Sequence, residues 1–583
     1  MKKLKYIIAS ILTLGMTVTS CDKMLEEKNY GSPTVDEMMT NERNIVMMVG
    51  QIYADLKYTH DHWGYWGLQT ITADEGICVP RNKGTDWNDG GYWIKQNTHE
   101  WNARGEAIAN VWNITISSAI LCNKVINTLE TYRESMEEDI YKKYIGEVEV
   151  MRSYYFYMLL DCFGRIPYTE KFEEATGPLY EPQDAWSCLV ATLERNAPNM
   201  EIVNDGNRAS LYGRTTQGFA YALLARLYLN AESFGCTPDN VFKNVAAPEQ
   251  YRGSFMDNCV RCCDAVIDAG SYAIEDNYFT NFKLFNESSR ENIFVIVEDG
   301  TINDERDTSG AKSCKNKLRI PYNTHHYGIQ FYYSTILDTW NGFCARPDFL
   351  KLYSDRDVRG PGDEQLGTHN TKQWGWFLGP VHKKGSNDLY LDTKELDDED
   401  QPTPTVIHAE ISNIKNASNF DGARLNKWEI DQTSTYKYCE NDFPLIRYAD
   451  VLWMKEEAIK RGGAGTSGIS SADFQKMLAR NFAYDSNPAD KFISVYGDPT
   501  GWTVDQILDE RGREFTWEMI RRRDLIRFGK FNEIQYVKEC TNATSRAEIR
   551  KWFPIPYPVL EKSLKDDQGN SIWTQTPGYE NIL

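Results

Sequence analysis

The sequence predicts a mainly α-helical protein in which helical hairpins stack into an array, interrupted by two long aromatic-rich loop regions and a few short strands. Three observations support this prediction. Amphipathic segments recur with apolar side chains at three- and four-residue spacing. Clusters of Gly, Pro or Asn separate these segments. Two further stretches lack the helical spacing and are rich in Gly, Asn, Asp and aromatic residues.

The N-terminus has the pattern of a secretory signal. Lys2, Lys3 and Lys5 precede an apolar run over residues 6–18, which small residues follow as far as Cys21. The run is too short to span a bilayer as a mature helix. We therefore predict a signal peptide over residues 1–20, removed during export.

Cys21 stands directly after Thr19 and Ser20, where a lipoprotein signal peptidase requires a cysteine. Acylation, with palmitate as a typical chain, would make it the mature N-terminus. An ordinary signal followed by a chance cysteine is the alternative. Residues 21–30 would then form a short charged tether to a helical domain over residues 31–583. Since no other stretch approaches the roughly 18 apolar residues of a spanning helix, acyl chains would be the only membrane attachment.

Size and charge restrict the possible partners. The 563 residues that remain after cleavage exceed the size at which a single core keeps growing, which favours subdomains or a repeat array. The formal net charge of −20 becomes −23 once the three lysines of the signal are lost. A surface this acidic repels nucleic acid and anionic lipid, so we expect neutral ligands or basic partners.

The predicted helical segments follow one another in pairs. They are residues 104–132, 141–163, 182–196, 215–231, 254–269, 443–461 and 471–482, and the first two are expected to form a hairpin. One hairpin cannot bury its apolar face alone, whereas stacked hairpins can, so the pattern favours a tetratricopeptide-like array. In the segment 254–269, Cys259 and Cys262 share an apolar stripe with Phe255 and Val266. This spacing favours buried core cysteines over a metal or redox site.

The two long loop regions cover residues 60–102 and 276–440, with strand-like pieces at 293–297 and 405–411. Loops of this length within a compact chain are usually functional or disordered. Their aromatic content argues against disorder. We therefore expect these two regions to face a ligand.

Five sequence blocks occur in a fixed order along the chain. They read GEVEVMRSYYF with CFGRIPY (146–156 and 162–168), GRT to LLARLYL (213–229), FPLIRYAD (443–450), ERGREF to RRDLIRFG (510–529), and FPIP with QTPGY (553–556 and 575–579). Together with the N-terminal signal they resemble the SusD/RagB family of outer-membrane nutrient-uptake lipoproteins. The charged residues of these blocks are expected to be structural: Arg152, Arg447, Arg513 and Arg527 would be buried or capping partners of Glu147, Glu514 or Asp524.

The resemblance implies a non-catalytic protein, lipid-anchored at the cell outer membrane and exposed at the surface. Such a protein would capture extracellular oligosaccharide or polysaccharide and deliver it to a SusC-like TonB-dependent transporter, without cofactor or metal and without binding nucleic acid. The alternative is a peptide- or protein-binding envelope lipoprotein of the RagB type. The identity of the glycan is not predicted.

Tryptophan is concentrated in the first loop region, where five of the 16 tryptophans fall between residues 63 and 101. A sugar ring has an apolar face and a hydroxyl rim, so its receptor is an aromatic surface flanked by amide, carboxylate and guanidinium groups. The family's "DE...P.r...DW.dGG" loop is similar to residues 74–91. Arg81, Asp86 and Asn88 would hold hydroxyls while Trp87 stacks on the ring. The alternative is that Trp66, Trp93 and Trp101 pack the loop onto the helices.

Two further aromatic clusters lie in the second loop region. One, over residues 322–343, contains Tyr327 and the turn from Trp340 and Asn341 to Phe343, which lies where a relative's ligand-contacting loop would be. We therefore add Tyr327, Trp340 and Asn341 to the predicted glycan site. The other cluster is Trp374, Trp376 and Phe377, for which ligand contact and loop anchoring remain open.

Catalytic patterns are weak. Glycoside hydrolysis needs two carboxylates across a bond, and Asp74 and Glu75 are adjacent. No metal-binding helix, nucleophile elbow or phosphate loop occurs in the sequence. The acidic run 397–400 has no spaced ligands and no turn glycine, which favours a solvated loop over a calcium site. We therefore expect a binding protein and not an enzyme.

Overall fold

The computed structural model describes residues 39–81, 89–172, 177–298, 319–328, 339–361, 374–383, 386–430, 440–534 and 543–580. The signal peptide, Cys21 and the tether lie outside the described residues. The helices are α1 (Glu42–Gly50), α2 (Tyr65–Ile71), α3 (Tyr92–Asn97), α4 (Glu106–Thr131), α5 (Glu138–Phe163), α6 (Pro182–Asn196), α7 (Arg208–Leu211), α8 (Gln217–Leu229), α9 (Phe255–Asp268), α10 (Ile320–Thr324), α11 (Pro347–Leu350), α12 (Tyr448–Lys460), α13 (Ala472–Arg480), α14 (Pro488–Tyr496), α15 (Val504–Glu514), α16 (Arg521–Arg527) and α17 (Tyr557–Lys562).

The long helices α4 and α5 form the predicted hairpin. Each is 26 residues long, and the apolar stripe of α4 is buried. The chain leaves α5 at Gly164, whose φ is +69°. A Cβ at that position would lie 2.9 Å from ring atoms of Trp552, so both the backbone conformation and the packing favour glycine.

Packing continues from the hairpin through α6, α8, α9 and α12. Helix α8 is apolar on nearly all sides and buried, as expected for a helix enclosed by others. In α9 the side chains of Phe255, Cys259, Cys262 and Val266 are all buried. The predicted stripe of core cysteines is confirmed, and the tetratricopeptide-like helical array is the fold.

Two predictions of secondary structure were wrong. The segment 443–461 begins as a strand, β10 (Phe443–Arg447), and becomes helical only at Tyr448. Five consecutive buried residues fit a buried strand as well as a helix, and Pro444 has no backbone N–H to donate in a helix. The first loop region contains α2, whose seven residues are all buried, and the short α3. A helix buried on every side has no amphipathic period to detect.

The strands pair in twos, each pair antiparallel. They are β1 (Ile77–Cys78) with β3 (Phe343–Cys344), β2 (Asn292–Ile296) with β10, β4 (Gly375–Phe377) with β9 (Arg424–Asn426), β5 (Gly379–Pro380) with β8 (Val406–Ile407), and β6 (Leu391–Leu396) with β7 (Pro402–Pro404). The predicted strand 293–297 is confirmed as β2, and the piece at 405–411 is reduced to β8. The acidic run 397–400 is the exposed turn between β6 and β7.

Buried ion pairs join the helices. Arg447 bonds Glu291, Glu514 and Glu518, and all four side chains are buried. Such pairs specify one mutual arrangement, since removing a single partner leaves an uncompensated buried charge. The structural role predicted for Arg447 is confirmed.

The other scaffold arginines also bond within the chain, but two of them do not pair with the predicted acids. Arg527 bonds Glu457 and Asp524, and Arg513 bonds Glu510. The predicted partners Glu147, Glu514 and Asp524 were therefore wrong for Arg513, and they were also wrong for Arg152. It donates to the side chain of Asn123 and the carbonyl of Glu170, whereas Glu147 pairs with Arg214.

In the part of the chain that the structure describes, no helix is long and apolar enough to cross a membrane.

Candidate functional site

Three half-buried aromatic side chains form a surface that we call the aromatic platform: Trp63, Tyr92 and Trp340. The ring centroids of Trp63 and Tyr92 are 5.1 Å apart. Beneath them lie His62 and Trp93, both buried, with His62 5.7 Å from Trp63 and 6.1 Å from Trp340. The platform therefore joins the two loop regions that the sequence predicted to face a ligand.

The first side of the platform is held by turns around α2 and α3. The backbone N–H of Trp63 donates to the carboxylate of Asp61 at 2.8 Å. Tyr92 is the first residue of α3, and its hydroxyl accepts from the N–H of Ala107 at 3.2 Å. Burial raises the pKa of Tyr92 well above its usual range. The backbone of Trp63 and the side chain of Tyr92 are therefore held by contacts within the chain before any ligand arrives.

The second side is a turn that carries Trp340 and Asn341. Three backbone N–H groups, those of Trp340, Asn341 and Gly342, donate to carbonyls of Tyr322, His325 and Asn323 at 2.8, 2.9 and 2.9 Å. Asn341 is fully buried with φ +53°, a left-handed conformation that asparagine tolerates better than most residues. The turn presents Trp340 while the side chain of Asn341 points inward, donating to the carbonyl of Asn419 at 3.1 Å.

Arg81 joins the two sides. It is 4% exposed, and its guanidinium donates to the carbonyls of Asn341, Ser418 and Asp421 at 2.9, 2.6 and 3.0 Å. Three buried carbonyls are satisfied by one side chain, which is the geometry of a loop clamp. Arg424 reinforces the clamp by donating to the side chain of Asn341 at 2.5 Å.

Tyr327 lies in the same network. Its hydroxyl donates to the carboxylate of Asp392 and accepts from the amide of Asn419 at 3.3 Å. The ammonium of Lys394 lies 4.3 Å from the ring centroid. Burial, followed by the Asp392 carboxylate, raises the pKa of Tyr327 well above its usual range. One face of this ring is therefore occupied within the chain.

The structure thus brings Arg81, Tyr327, Trp340 and Asn341 to one place. Asp86, Trp87 and Asn88 lie outside the described residues, and their contacts with ligand remain predictions. The described chain stops at Arg81 and resumes at Asp89, whose carboxylate accepts from the indole N–H of Trp93 at 2.6 Å. Both ends of that segment adjoin the platform.

Other aromatics of the predicted site pack into the interior. Trp66, Trp93 and Trp101 are buried, so the packing alternative applies to these three. In the third cluster Trp376 and Phe377 are also buried, and Trp374 stacks on Phe279 with centroids 5.2 Å apart. This cluster anchors its loop.

The sequence did not predict the clamp residues Asn419 and Arg424, because neither lies in a periodic or aromatic segment.

The adjacent carboxylates Asp74 and Glu75 have structural partners. The guanidinium of Arg521 donates from Nε and Nη2 to the two carboxylate oxygens of Asp74 at 2.7 and 2.8 Å. Glu75 is fully buried and accepts from the backbone N–H of Trp517 at 2.8 Å. Burial raises the pKa of Glu75 to about 8. Both side chains fix the backbone around Trp517, where two non-glycine residues have positive φ.

Two family models and a curated protein match the sequence of this chain. A profile described as the SusD family matches residues 291–579, and one described as starch-binding associating with outer membrane matches residues 68–229. The starch-binding protein SusD of Bacteroides thetaiotaomicron is 24% identical over 454 residues, which are 75% of this chain and 72% of that protein.

Solved structures share the fold. The surface glycan-binding protein A from Bacteroides thetaiotaomicron, in complex with laminarihexaose, superposes with a TM-score of 0.61 at 18% identity, over 91% of this chain and 99% of that one. A laminarin-binding SusD-like protein gives a TM-score of 0.62 at 16% identity, over 92% and 100% of the two chains.

Proposed function

Because this chain belongs to the SusD family, we propose that it captures extracellular oligosaccharide or polysaccharide at the cell outer membrane without catalysing a reaction. Delivery of the captured chain to a SusC-like TonB-dependent transporter is part of the proposal. So is the lipid anchor at Cys21. The names of the relatives, which bind starch and laminarin, support a glycan as the ligand.

The observation that carries the proposal is the aromatic platform. Trp63, Tyr92 and Trp340 offer ring surface at the outside of a rigid assembly, and their neighbours hold them in place. Stacking on a fixed ring loses little side-chain entropy when the ligand binds. A platform that is preorganised in this way suits the flat apolar faces of sugar rings.

The expected strength is modest for each contact. An aromatic contact contributes about 0.5 to 1.5 kcal/mol beyond burial, so a single sugar on one ring should bind weakly. A chain that engages several rings gains from the high effective concentration of its later units. The proposal therefore concerns chains more than single sugars.

The predicted site residues divide into two roles under this proposal. Arg81 and Asn341 would hold the two loop regions together, since their polar atoms bond within the chain. Trp340 would stack on the ligand, with Asp86, Trp87 and Asn88 adding stacking and hydroxyl contacts from the adjoining segment. Tyr327 would contact ligand at its outer edge.

Calorimetric titration against a panel of polysaccharides, with starch and laminarin included, tests the proposal. We expect binding to at least one glycan, and a loss of about threefold to tenfold in affinity for Trp63→Ala and for Trp340→Ala. Tyr484→Ala is the matched control, because this tyrosine is 59% exposed and lies far from every platform residue in the sequence. Binding to no glycan, together with recovery of peptides in a pulldown, would contradict the proposal and favour a RagB-type peptide binder.

A further inference from the structure

Another half-buried aromatic side chain, Tyr557, is not part of the platform. Tyr557 is the first residue of α17, and the guanidinium carbon of Arg104 lies 4.2 Å from its ring centroid. Arg104 itself is exposed. The guanidinium covers one face of the ring, and because Arg104 is exposed, N–H groups of its five-donor guanidinium can also donate to a ligand.

The pair is continuous with the platform through one short backbone segment. The N–H of Tyr557 donates to the carbonyl of Ala103 at 2.8 Å, and the N–H of Ala107 donates to the hydroxyl of Tyr92 at 3.2 Å. Between these anchors lies Gly105, where an added Cβ would stand 3.3 Å from the Tyr92 hydroxyl. Four residue steps span at most about 14 Å when fully extended. The Tyr557 ring therefore lies within a few sugar units of the platform.

Polar groups surround Tyr557. The side chain of Asn102 accepts from the backbone N–H of Arg104 at 2.9 Å, which holds its amide beside the pair. The carboxylate of Glu561, hydrogen-bonded with the Tyr557 hydroxyl, raises the pKa of that tyrosine. An aromatic ring with amide, carboxylate and guanidinium neighbours is the set that recognises a sugar ring and its hydroxyl rim.

We propose that Arg104 and Tyr557 form an outer subsite for the glycan bound on the aromatic platform, so that the ligand is a chain long enough to reach both. The inference rests on the proposed function. It makes the site a track from Trp340 through Trp63 and Tyr92 to Tyr557. A disaccharide occupies only part of this track, and a longer oligosaccharide or polysaccharide fills it.

The charges of the subsite indicate a neutral chain. Arg104 lies over the ring of Tyr557 and Glu561 bonds its hydroxyl, so the two carry opposite charges beside one side chain, and the whole chain has a net charge of −20. A carboxylate or sulfate on the sugar would be attracted by Arg104 but repelled by Glu561 and by the negative charge of the chain. The hydroxyl groups of a neutral sugar can hydrogen-bond to both Arg104 and Glu561.

The experiment compares oligosaccharides of increasing length by calorimetric titration of the whole protein. The probes are maltose to maltoheptaose and laminaribiose to laminarihexaose, with starch and laminarin as the polymers. For the wild-type protein we expect affinity to rise with length and to level off only once the chain spans the track. Tyr557→Ala and Arg104→Ala should lower affinity for the longest probes about threefold to tenfold and leave the shortest unchanged.

Matched variants separate the two proposals. Trp340→Ala should weaken short and long probes alike, and Tyr484→Ala should change neither. Failure of the wild-type protein to bind any probe or polymer would overturn the proposed function. Wild-type binding with no effect of Tyr557→Ala or Arg104→Ala on the longest probes would overturn the outer subsite alone. Unchanged thermal unfolding of the two variants, which we expect because both side chains reach solvent, shows that an affinity loss is local.

Discussion

The guanidinium of Arg81 donates from Nε to the carbonyl of Asn341 at 2.9 Å, joining positions 260 residues apart in the chain. The same side chain also bonds the carbonyls of Ser418 and Asp421. One buried cation thus ties together three stretches of loop that have few helices of their own. The position of Trp340, next to Asn341, depends on this clamp.

Replacing Arg81 with Met should therefore destabilise the protein and weaken glycan binding together. The methionine fills much of the volume but removes the Arg81 donor from the carbonyls of Asn341 and Ser418, at a cost of about 3 kcal/mol. Urea unfolding measures the stability, and titration with the bound glycan measures the affinity. Arg252→Met is the control for loss of an arginine at an exposed position, with little expected change in stability or affinity. Full stability of Arg81→Met would contradict the clamp.

Stability should fall as pH rises, in part because of Glu75. Burial raises the pKa of this carboxyl from 4.5 to about 8, so the folded state holds a proton that the unfolded chain has released. The contribution of protonated Glu75 to the free energy of unfolding is fully present below about pH 4.5 and is lost as pH rises through about 8. A single proton gives a slope of at most about 1.4 kcal/mol per pH unit.

The variant Glu75→Gln removes this titration. Urea unfolding at several pH values between 5 and 9 should show a shallower decline for the variant than for the wild-type protein. Some decline should remain, because burial also raises the pKa of Asp442, to about 7. Identical slopes for the two proteins would show that Glu75 is ionised in the folded state.

Gly164 gives a test of the packing at the end of α5. Alanine there meets both a positive φ and the ring of Trp552, 2.9 Å from the added Cβ. We expect a loss of about 2 to 4 kcal/mol in the free energy of unfolding. Gly235→Ala is the matched control, since its φ is +80° but no atom lies within 4 Å, and it should cost about 1 kcal/mol. Equal losses would mean that Trp552 yields without cost.

The anchor predicted at Cys21 is tested in cells. Metabolic labelling with palmitate should mark the wild-type protein, and Cys21→Ser should abolish the label and release the protein from the membrane fraction. Labelling that persists in Cys21→Ser would contradict the anchor, and an unlabelled wild-type protein would support an ordinary signal peptide instead.

The sequence predicted the scaffold better than the site. Amphipathic helices such as α6 and α9 show their buried face in the spacing of single residues, so their positions followed directly. Helix α2 is buried on every side, and the segment beginning at Phe443 is a buried strand, so neither has a period that identifies it.

Within the site, composition alone could not separate contact from packing. Trp93 and Trp63 stand in the same tryptophan-rich segment, yet one is fully buried and the other is half-buried on the platform. Arg81 has the chemistry to bind hydroxyls, but its donors are directed to carbonyls that only folding brings near. Such contacts depend on residues hundreds of positions apart, which no local pattern records.

We propose that Trp63, Tyr92 and Trp340 bind a glycan. A crystal structure of the protein with a saturating bound oligosaccharide tests it most directly. We predict sugar rings stacked on the platform, with the chain continuing toward Tyr557. A bound oligosaccharide located elsewhere on the protein, with the platform uncovered, would contradict the claim.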